Sequence, residues 1–545
     1  MKRKSGESAE NHSEKPAKMT RSTEKDKKYD RQLRLWGDHG QKKLENAKVC
    51  LINATALGTE ILKNLVLPGI GSFCVVDKNK VCNKDIGNNF YVSKDCLGKS
   101  RAQCAVEYLQ ELNADVSGNF IDEDPLDLAT NNPDFFTEFS VVIATGLSER
   151  TRLKVSSCLW DAGVPLLVCT AYGMVAMMRL VVQEHTVVES HPDNAFEDLR
   201  LADPFPQLQK FCDSLDLNSM SKLDHSHTPY VVLLLKCLQQ WKDTHEGKVP
   251  QNYKEKCAFK ELLREGILVK ENGVPEEEDN FDEALKAVNT SLSTTGIPGS
   301  IQEILNDNKC ETISSSSSPF WILCKALKEF VNETGNLPVR GSIPDMTADS
   351  KRFIELQNCY HEKALEDVQN ISEKLHAILA SIGKKSNFIE DDEIRLFCKN
   401  AAFLRVIRCK SLEEEYKNLP ECLDGLIDEP ESDVNFYVLL RAVDKFYSSF
   451  DRYPGEADED VEADCEKLLV CVTDMFKEWG IQCGIKDDYI KEICRYGACE
   501  LHPVASLIGG AAAHEVIKLI THQYVPFHDC YIFNAMTGSS VTLSF

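Results

Sequence analysis

The chain has 545 residues and a net charge of −24, with 62 Lys and Arg against 86 Asp and Glu. Because an acidic surface cannot neutralise phosphates, this balance excludes nonspecific nucleic-acid binding. No run reaches the roughly 18 to 20 apolar residues of a membrane span, and the 22 cysteines form no C-x-x-C pair, so we expect a soluble globular protein of the cytoplasm or nucleus without a zinc site or disulfide framework.

The first 28 residues are basic and almost free of apolar side chains, with nine Lys or Arg against five Asp or Glu. This composition predicts a disordered tail at residues 1–28. Lys2, Arg3 and Lys4 would suit a nuclear signal, although a solvated charge run explains them more simply. From Tyr29 onward, apolar residues recur at helical spacing up to Trp36, which predicts a short docking helix.

A nucleotide-binding βαβ unit follows. Residues 49–52 form a short apolar run typical of a strand, residues 59–67 have a helical pattern, and residues 73–77 predict a second strand that ends in the carboxylate of Asp77. The loop at 53–58 occupies the position of a G-x-G-x-x-G phosphate loop.

That loop has lost its first two glycines. Such glycines permit a tight turn and a close approach of the backbone to phosphate, and the Cβ atoms of Asn53 and Thr55 obstruct both. Only Gly58, which would let the helix pack closely, remains. The sequence therefore predicts a nucleotide-binding architecture with a disabled phosphate site.

The rest of the chain predicts an interrupted α/β domain. Apolar strands alternate with amphipathic helices up to residue 182, which indicates a mostly parallel, doubly wound sheet. Long helical patterns then follow, before α/β character returns. The predicted divisions are a tail at 1–28, a first α/β part at 29–182, an inserted helical domain at 183–486 and a C-terminal α/β part at 487–545.

Three stretches of the inserted region are similar to one another. Each begins with an aromatic residue, Tyr230, Phe320 or Phe436, continues as a helical pattern, and ends at a polar turn with a proline. Their irregular spacing does not favour a solenoid. We expect them to be core helices of one α-rich domain.

Several of these features together resemble the adenylation domain of ubiquitin-like modifier activating enzymes. They are the helix from Tyr29, the degenerate loop, Asp77, the Asn88-Asn89-Phe90 segment and a small-residue helix from Gly509 to Lys518. Beyond the tail the whole chain is similar to the non-catalytic, regulatory subunits of heterodimeric neddylation-activating enzymes. The resemblance implies a Rossmann-like, ThiF/MoeB-like adenylation domain with a large, mainly α-helical inserted pseudo-catalytic-cysteine domain.

In this family two adenylation domains pair, and the active one belongs to the partner subunit. Departures from the sequence pattern of the active domain imply that this chain is the half of the pair that binds no nucleotide. Active halves carry G-x-G-G-L-G, where this chain has Asn53, Thr55 and Ala56, and N-R-Q-F, whose arginine is absent here. Their magnesium-binding aspartate aligns with Gly146. Asp77 is then vestigial, and an acid that caps a turn is favoured over a ribose-binding acid. The resemblance implies that ATP and Mg²⁺ are bound by the partner subunit and that this chain alone binds no cofactor or metal.

One residue is nevertheless expected to act in catalysis. Arg31 matches the arginine that in this family reaches across the interface toward the γ-phosphate of the partner's ATP, and a guanidinium suits that role because it donates two hydrogen bonds at once. An ion pair with a surface carboxylate is the alternative.

None of the cysteines lies in a context resembling C-T-x-x-x-x-P-R, which carries the catalytic thiol of the family. Cys169 precedes a threonine, but its apolar surroundings predict a buried, unreactive strand position. We therefore expect no catalytic cysteine in this chain.

Partner contacts are predicted at two places. Trp36 would anchor the N-terminal helix, and the glycine-bounded turn at 335–341 offers Leu337 and Arg340, since arginine is enriched at interface hot spots. An ordinary surface turn is the alternative for 335–341.

The resemblance implies a regulatory subunit, inactive alone, that supports ATP-dependent adenylation of the C-terminal glycine of a ubiquitin-like neddylation modifier and its transfer to the partner's cysteine. A name used for such subunits, amyloid precursor protein-binding protein one, implies the tail of that precursor as another partner. The alternatives are a silent scaffold, the regulatory half of a sumoylation-activating enzyme, and a nucleotide-binding oxidoreductase, which the missing glycines oppose.

Overall fold

The computed structural model describes residues 24–193, 198–292, 296–417, 423, 429, 431–480 and 485–545. The strands of these residues are β1 (Lys48–Ile52), β2 (Ser72–Val76), β3 (Ser117–Ile121), β4 (Val141–Thr145), β5 (Leu166–Tyr172), β6 (Val175–Val181), β7 (His185–Val187), β8 (Arg405–Ile407), β9 (Cys530–Asn534) and β10 (Ser539–Leu543).

Eight of these strands form one sheet in the order β10-β9-β6-β5-β4-β1-β2-β3. Strands β1 to β5 are parallel, whereas β6, β9 and β10 pair antiparallel at one side. Because β1 pairs with both β2 and β4, the strand order reverses there, and such a switch point forms the ligand crevice of open α/β sheets. The predicted doubly wound, Rossmann-like fold is confirmed.

The first part of the chain covers both faces of this sheet. In β1, Val49 and Leu51 face a core cluster that includes Leu57, whereas Cys50 and Ile52 face a second cluster. Burial on both faces explains the continuous apolar run of this strand. The helices of this part are α1 (Glu24–Lys28), α2 (Asp30–Asn46), α3 (Ala56–Val66), α4 (Asn83–Ile86), α5 (Arg101–Glu111), α6 (Pro125–Asn131), α7 (Asp134–Thr137) and α8 (Glu149–Ala162).

Order extends further toward the N-terminus than the sequence predicts. Helix α1 lies inside the segment expected to be a disordered tail, and two of its lysines form ion pairs, Lys25 with Glu45 at 2.8 Å and Lys28 with Asp115 at 2.7 Å. The tail boundary at residue 28 was therefore wrong for residues 24–28. The remainder of the predicted tail, with the Lys2-Arg3-Lys4 run, lies outside the described residues.

The middle of the chain is largely helical between β6 and β9 of the same sheet. Its helices are α9 (Pro206–Asp213), α10 (Lys222–Ser226), α11 (Tyr230–Thr244), α12 (Tyr253–Glu265), α13 (Asp279–Ser291), α14 (Gly299–Leu305), α15 (Asn308–Glu311), α16 (Pro319–Thr334), α17 (Ser350–Ser381), α18 (Asp391–Lys399), α19 (Leu412–Lys417), α20 (Asn435–Phe450), α21 (Val461–Trp479) and α22 (Asp487–Tyr496).

The three aromatic-led stretches are helices α11, α16 and α20, as predicted, but they do not share one core. Each belongs to a different hydrophobic cluster. The long helix α17 joins two of them, with Tyr360 in the α11 cluster and Leu375 in the α16 cluster. The α20 cluster includes Met177 of β6 and Ile532 of β9, so this part of the insertion packs directly on the sheet.

A last helix, α23 (His502–Thr521), packs along α3. A Cβ on Gly509 would lie 2.8 Å from the Cβ of Glu60, so glycine is needed where the two helices approach. The helix is long and apolar enough to cross a membrane, with a mean hydropathy of 1.3, but 61% of its apolar window is buried inside the molecule. Burial against α3 accounts for its apolar sequence.

Candidate functional site

The loop between β1 and α3 lies at the switch point of the sheet, and the side chain of Asn53 closes it. Asn53 has a φ of 67°, and its Nδ2 donates to the carbonyl oxygens of Thr145 at 3.0 Å and Gly146 at 3.1 Å. The Thr145 hydroxyl donates in return to the Asn53 carbonyl at 2.8 Å. The amide therefore fills the space between the ends of β1 and β4.

The start of α3 is organised by the next residues of the loop. The Thr55 hydroxyl accepts a hydrogen bond from the Gly58 N–H at 3.2 Å, which caps the helix. A Cβ on Gly58 would lie 2.8 Å from the Asn53 carbonyl oxygen. Gly58 thus permits close helix packing, while Asn53, Thr55 and Ala56 put side chains where a phosphate loop has glycine.

Asp77 follows β2 and is fully buried. Its Oδ2 accepts from the Ala54 N–H at 2.9 Å and from Arg101 Nε at 2.7 Å, and its Oδ1 accepts from the N–H and the side chain of Asn79 at 2.8 and 2.9 Å. A carboxylate has about four acceptor positions, and these four bonds fill them. No acceptor is left for a ribose hydroxyl.

A cavity of about 550 Å³ remains beside this loop. The inserted helices wall one side of it, since Arg152 forms a bidentate pair with Asp444 of α20, at 2.8 and 3.0 Å. Lys84 pairs with Glu456 at 2.6 Å. The cations that line the cavity are therefore already neutralised by neighbouring carboxylates.

ATP with magnesium would meet the residues after β4 and at the start of α3. Gly146, after β4, supplies no carboxylate, and in the described ranges no group of three or more His, Cys, Asp or Glu side chains could hold a metal ion. At the N-terminus of α3, the Leu57 N–H donates to the Glu500 carboxylate at 3.1 Å. The position of a phosphate is thus taken by a side chain of the same polypeptide.

Arg31 lies in a different place, on the exposed surface of α2. Tyr29, two residues before Arg31, is buried. Its hydroxyl donates a hydrogen bond to Asp115 and accepts one from the Asn113 side chain, both at 3.0 Å. Asn113 also donates to the carbonyl of Val66 at 2.8 Å, at the C-terminal end of α3. Within the described part of the chain, the Arg31 side chain makes no hydrogen bond or ion pair, so the predicted alternative of a carboxylate partner is not seen there.

Comparison with known proteins decides the family. The model of the ThiF family matches residues 29–543. The NEDD8-activating enzyme E1 regulatory subunit of Danio rerio is 55% identical over 526 residues, which are 95% of this chain and 98% of that protein. The NEDD8-activating enzyme E1 regulatory subunit AXR1 of Arabidopsis thaliana is 42% identical over 95% of this chain and 96% of that protein. The NEDD8-activating enzyme E1 regulatory subunit of Saccharomyces cerevisiae is 27% identical over 94% of this chain and 99% of that protein.

The chain belongs to the NEDD8-activating enzyme E1 regulatory subunits. The family resemblance read from the sequence is confirmed, and the sumoylation alternative is not favoured.

For this regulatory subunit, the predicted anchor Trp36 is engaged within its own chain. Gly37, with a φ of 69°, breaks α2 directly after Trp36. The half-buried indole packs on the core of the sheet, and its Nε1 donates to Gln41 at 3.1 Å. Its carbonyl accepts from Gln523 at 2.9 Å. The sequence predicted a short helix up to Trp36, but not these contacts of Trp36 within its own chain.

At the second predicted contact, the turn at 335–341, Leu337 was wrong as a partner anchor because it faces inward, whereas Arg340 stays a prediction. Leu337 is only 8% exposed and belongs to the α16 cluster, while its carbonyl accepts a hydrogen bond from Arg200. Arg340 is half-buried, with its guanidinium 5.3 Å from the ring centre of Phe403. The turn holds helices together because its apolar side chain faces inward, which composition alone does not reveal.

Burial distinguishes the cysteines that the structure describes. Cys169 is buried in β5, and burial raises its pKa well above the ordinary value, which disfavours the reactive thiolate. Cys82 and Cys499 are the exposed cysteines of the part that the structure describes, and both line the cavity. Neither is followed by a threonine.

Asp77→Ala is expected to destabilise the fold without changing nucleotide chemistry. The substitution leaves Arg101 without one of its two carboxylate partners and the buried Ala54 N–H without an acceptor, so the free energy of unfolding should fall by about 3 to 5 kcal/mol. Urea denaturation followed by fluorescence measures this loss. Asp392→Ala, which removes the 91% exposed partner of Arg395, is the control, and it should cost at most about 0.5 kcal/mol. A lower affinity for ATP with unchanged stability would instead make Asp77 a ribose ligand.

Proposed function

We propose that this chain pairs with the catalytic subunit of a NEDD8-activating enzyme and is inactive alone. The partner would bind ATP and Mg²⁺, adenylate the C-terminal glycine of NEDD8 and accept NEDD8 as a thioester on its own cysteine. The observation that carries this proposal is the closed nucleotide site, in which Asp77 has every acceptor position filled, in a chain that is 55% identical to a regulatory subunit.

Arg31 is the residue through which we propose that the chain assists the partner's chemistry. Its anchor, Tyr29, is tied through Asn113 to the C-terminal end of α3, whereas the degenerate loop lies at the N-terminal end. The 11 residues of α3 separate these points by about 16 Å. The segment that carries Arg31 is therefore anchored at the end of α3 that lies away from the chain's own closed site. This position favours action of Arg31 on a second subunit.

The surface around Arg31 also suits a protein partner. Leu35, four residues further along α2, shares the face of Arg31 and is 54% exposed. Leu67, directly after α3, is 50% exposed, and its carbonyl lies 3.5 Å from the same Asn113 amide that contacts Tyr29. We propose Leu35 and Leu67, in place of Trp36, as the apolar contacts that hold this surface on the catalytic subunit.

The helical insertion has a structural part in this proposal. Its helix α20 packs on the sheet and covers the closed site through the Arg152–Asp444 pair. We propose that residues 183–486 act as a pseudo-catalytic-cysteine domain that contacts the catalytic subunit and NEDD8 without forming a thioester itself.

ATP:pyrophosphate exchange in the presence of NEDD8 tests the proposed function. We expect no exchange by this chain alone and full exchange by the chain together with the catalytic subunit, because only the partner offers a complete site. Each subunit alone, at the same concentration, is the control. Exchange by this chain alone would overturn the proposal, and so would undiminished exchange by the partner alone.

A further inference from the structure

The carboxylate of Glu500 occupies the place where a nucleotide-binding βαβ unit holds phosphate. Its Oε2 accepts from the Leu57 N–H at 3.1 Å, in the first turn of α3. Burial raises the pKa of Glu500, whereas hydrogen bonds from the backbone of Leu57, the side chain of Thr55 and the backbone of Ala56 favour the charged form. The N–H groups at the positive end of α3 are thus satisfied by a carboxyl group of the same chain.

The backbone of Glu500 is fixed from two sides, so its side chain has little freedom to leave. Its carbonyl accepts from Asn88 Nδ2 at 3.0 Å. It forms a parallel bridge with Gly173, whose N–H donates to the Cys499 carbonyl at 2.7 Å. A Cβ at Gly173 would lie 2.1 Å from the ring of Tyr496, so the glycine allows this close approach.

We propose that Glu500 is a built-in substitute for phosphate, which closes this chain's own site to nucleotide and leaves the heterodimer with the partner's ATP site alone. The N-terminus of a helix binds carboxylate and phosphate through the same N–H groups and the same dipole. A nucleotide would have to displace the Glu500 carboxylate from these N–H groups, and its negative phosphates would then lie beside the displaced carboxylate. The side chains that replace the glycines narrow the loop, and the Glu500 carboxylate fills the anion position at the N-terminus of α3.

This inference is independent of the role of Arg31, because Arg31 lies at the other end of α3. It also differs from a simple capping role. A cap that served stability alone would leave no place for an external anion when it is removed. A substitute for phosphate, by contrast, should leave an anion site enclosed by the cavity wall and the N–H groups of α3.

The test uses the full chain without its partner and inorganic pyrophosphate as the probe. We expect Glu500→Ala to bind pyrophosphate about tenfold more tightly than the unmodified chain, in line with the strength of anion binding at helix ends. Equilibrium dialysis at constant ionic strength measures the affinity. Amide hydrogen exchange of residues 55–58 shows whether pyrophosphate binds at this site, since bound pyrophosphate should slow the exchange of these amides.

Asp349→Ala is the matched control, because Asp349 caps the N-terminus of α17 through the N–H groups of Lys351 and Arg352. That helix end is exposed, so its uncapped form should gain no pyrophosphate affinity. Should Glu500→Ala fail to fold, Glu500→Ser keeps a polar cap in a smaller volume and should show the same gain. Folded variants that bind no better than the unmodified chain would overturn the proposal, as would equal binding by Asp349→Ala.

Discussion

Replacing Arg31 with alanine is expected to slow adenylation of NEDD8 by the heterodimer about 10²- to 10³-fold, by analogy with the removal of one donor from an oxyanion hole. The guanidinium would donate to phosphate oxygens while negative charge shifts toward pyrophosphate. Lysine offers a single point charge rather than two parallel donors, so Arg31→Lys should restore only part of the rate. Pyrophosphate exchange at saturating NEDD8 and ATP measures the effect.

The same helix offers a control for this prediction. Arg34 is 78% exposed and pairs with Asp30 at 3.0 Å, so its guanidinium already has a carboxylate partner. Arg34→Ala should leave the exchange rate within about twofold of the unmodified heterodimer, since an exposed pair contributes at most about 1 kcal/mol. The affinity between the subunits should be unchanged in both variants.

Two outcomes would contradict the proposed role of Arg31. Full exchange activity of the Arg31→Ala heterodimer, with unchanged affinities, would reduce the chain to a scaffold. A loss of activity that is fully recovered at higher subunit concentration would make Arg31 an interface contact instead of a group that acts on the nucleotide. Measurement of the subunit affinity alongside the exchange rate separates the two outcomes.

The sequence predicted the α/β architecture because local patterns determine it. The apolar run at β1, the loop and the acid at Asp77 lie within 30 residues, and their order alone indicates a nucleotide-binding unit. The sequence pattern does not indicate strand β3, because this edge strand is only partly buried and contains Gly118 and Asn119, which are poor strand formers.

The parts that could not be predicted depend on contacts between distant segments. Glu500 meets Leu57 across 443 positions of the sequence, so no local pattern links them. The burial of Leu337 depends on which face of its turn meets the α16 cluster. Likewise, the helical spacing at Trp36 is real, but spacing alone does not show that the indole packs on the core of the sheet.

The insertion also depends on a buried ion network, and Arg179→Met is expected to lower the free energy of unfolding by about 3 to 5 kcal/mol. Arg179 of β6 is 2% exposed and donates to Glu415 of α19 at 2.7 Å and to Asp529, before β9, at 3.0 Å. Methionine fills a similar volume but leaves both buried carboxylates without this cation. Because the network joins the sheet to the insertion, its loss should weaken their packing together.

Urea denaturation of the full chain measures this effect, and Arg408→Met provides the control. Arg408 also holds two carboxylates, Glu184 at 2.7 Å and Asp307 at 2.8 Å, but it is 44% exposed, so its loss should cost at most about 1 kcal/mol. Adding Glu415→Gln to Arg179→Met should recover part of the stability, because the double variant no longer buries the Glu415 charge. Equal losses for Arg179→Met and Arg408→Met would show that the buried network contributes no more than a surface pair, and that apolar packing alone holds the insertion on the sheet.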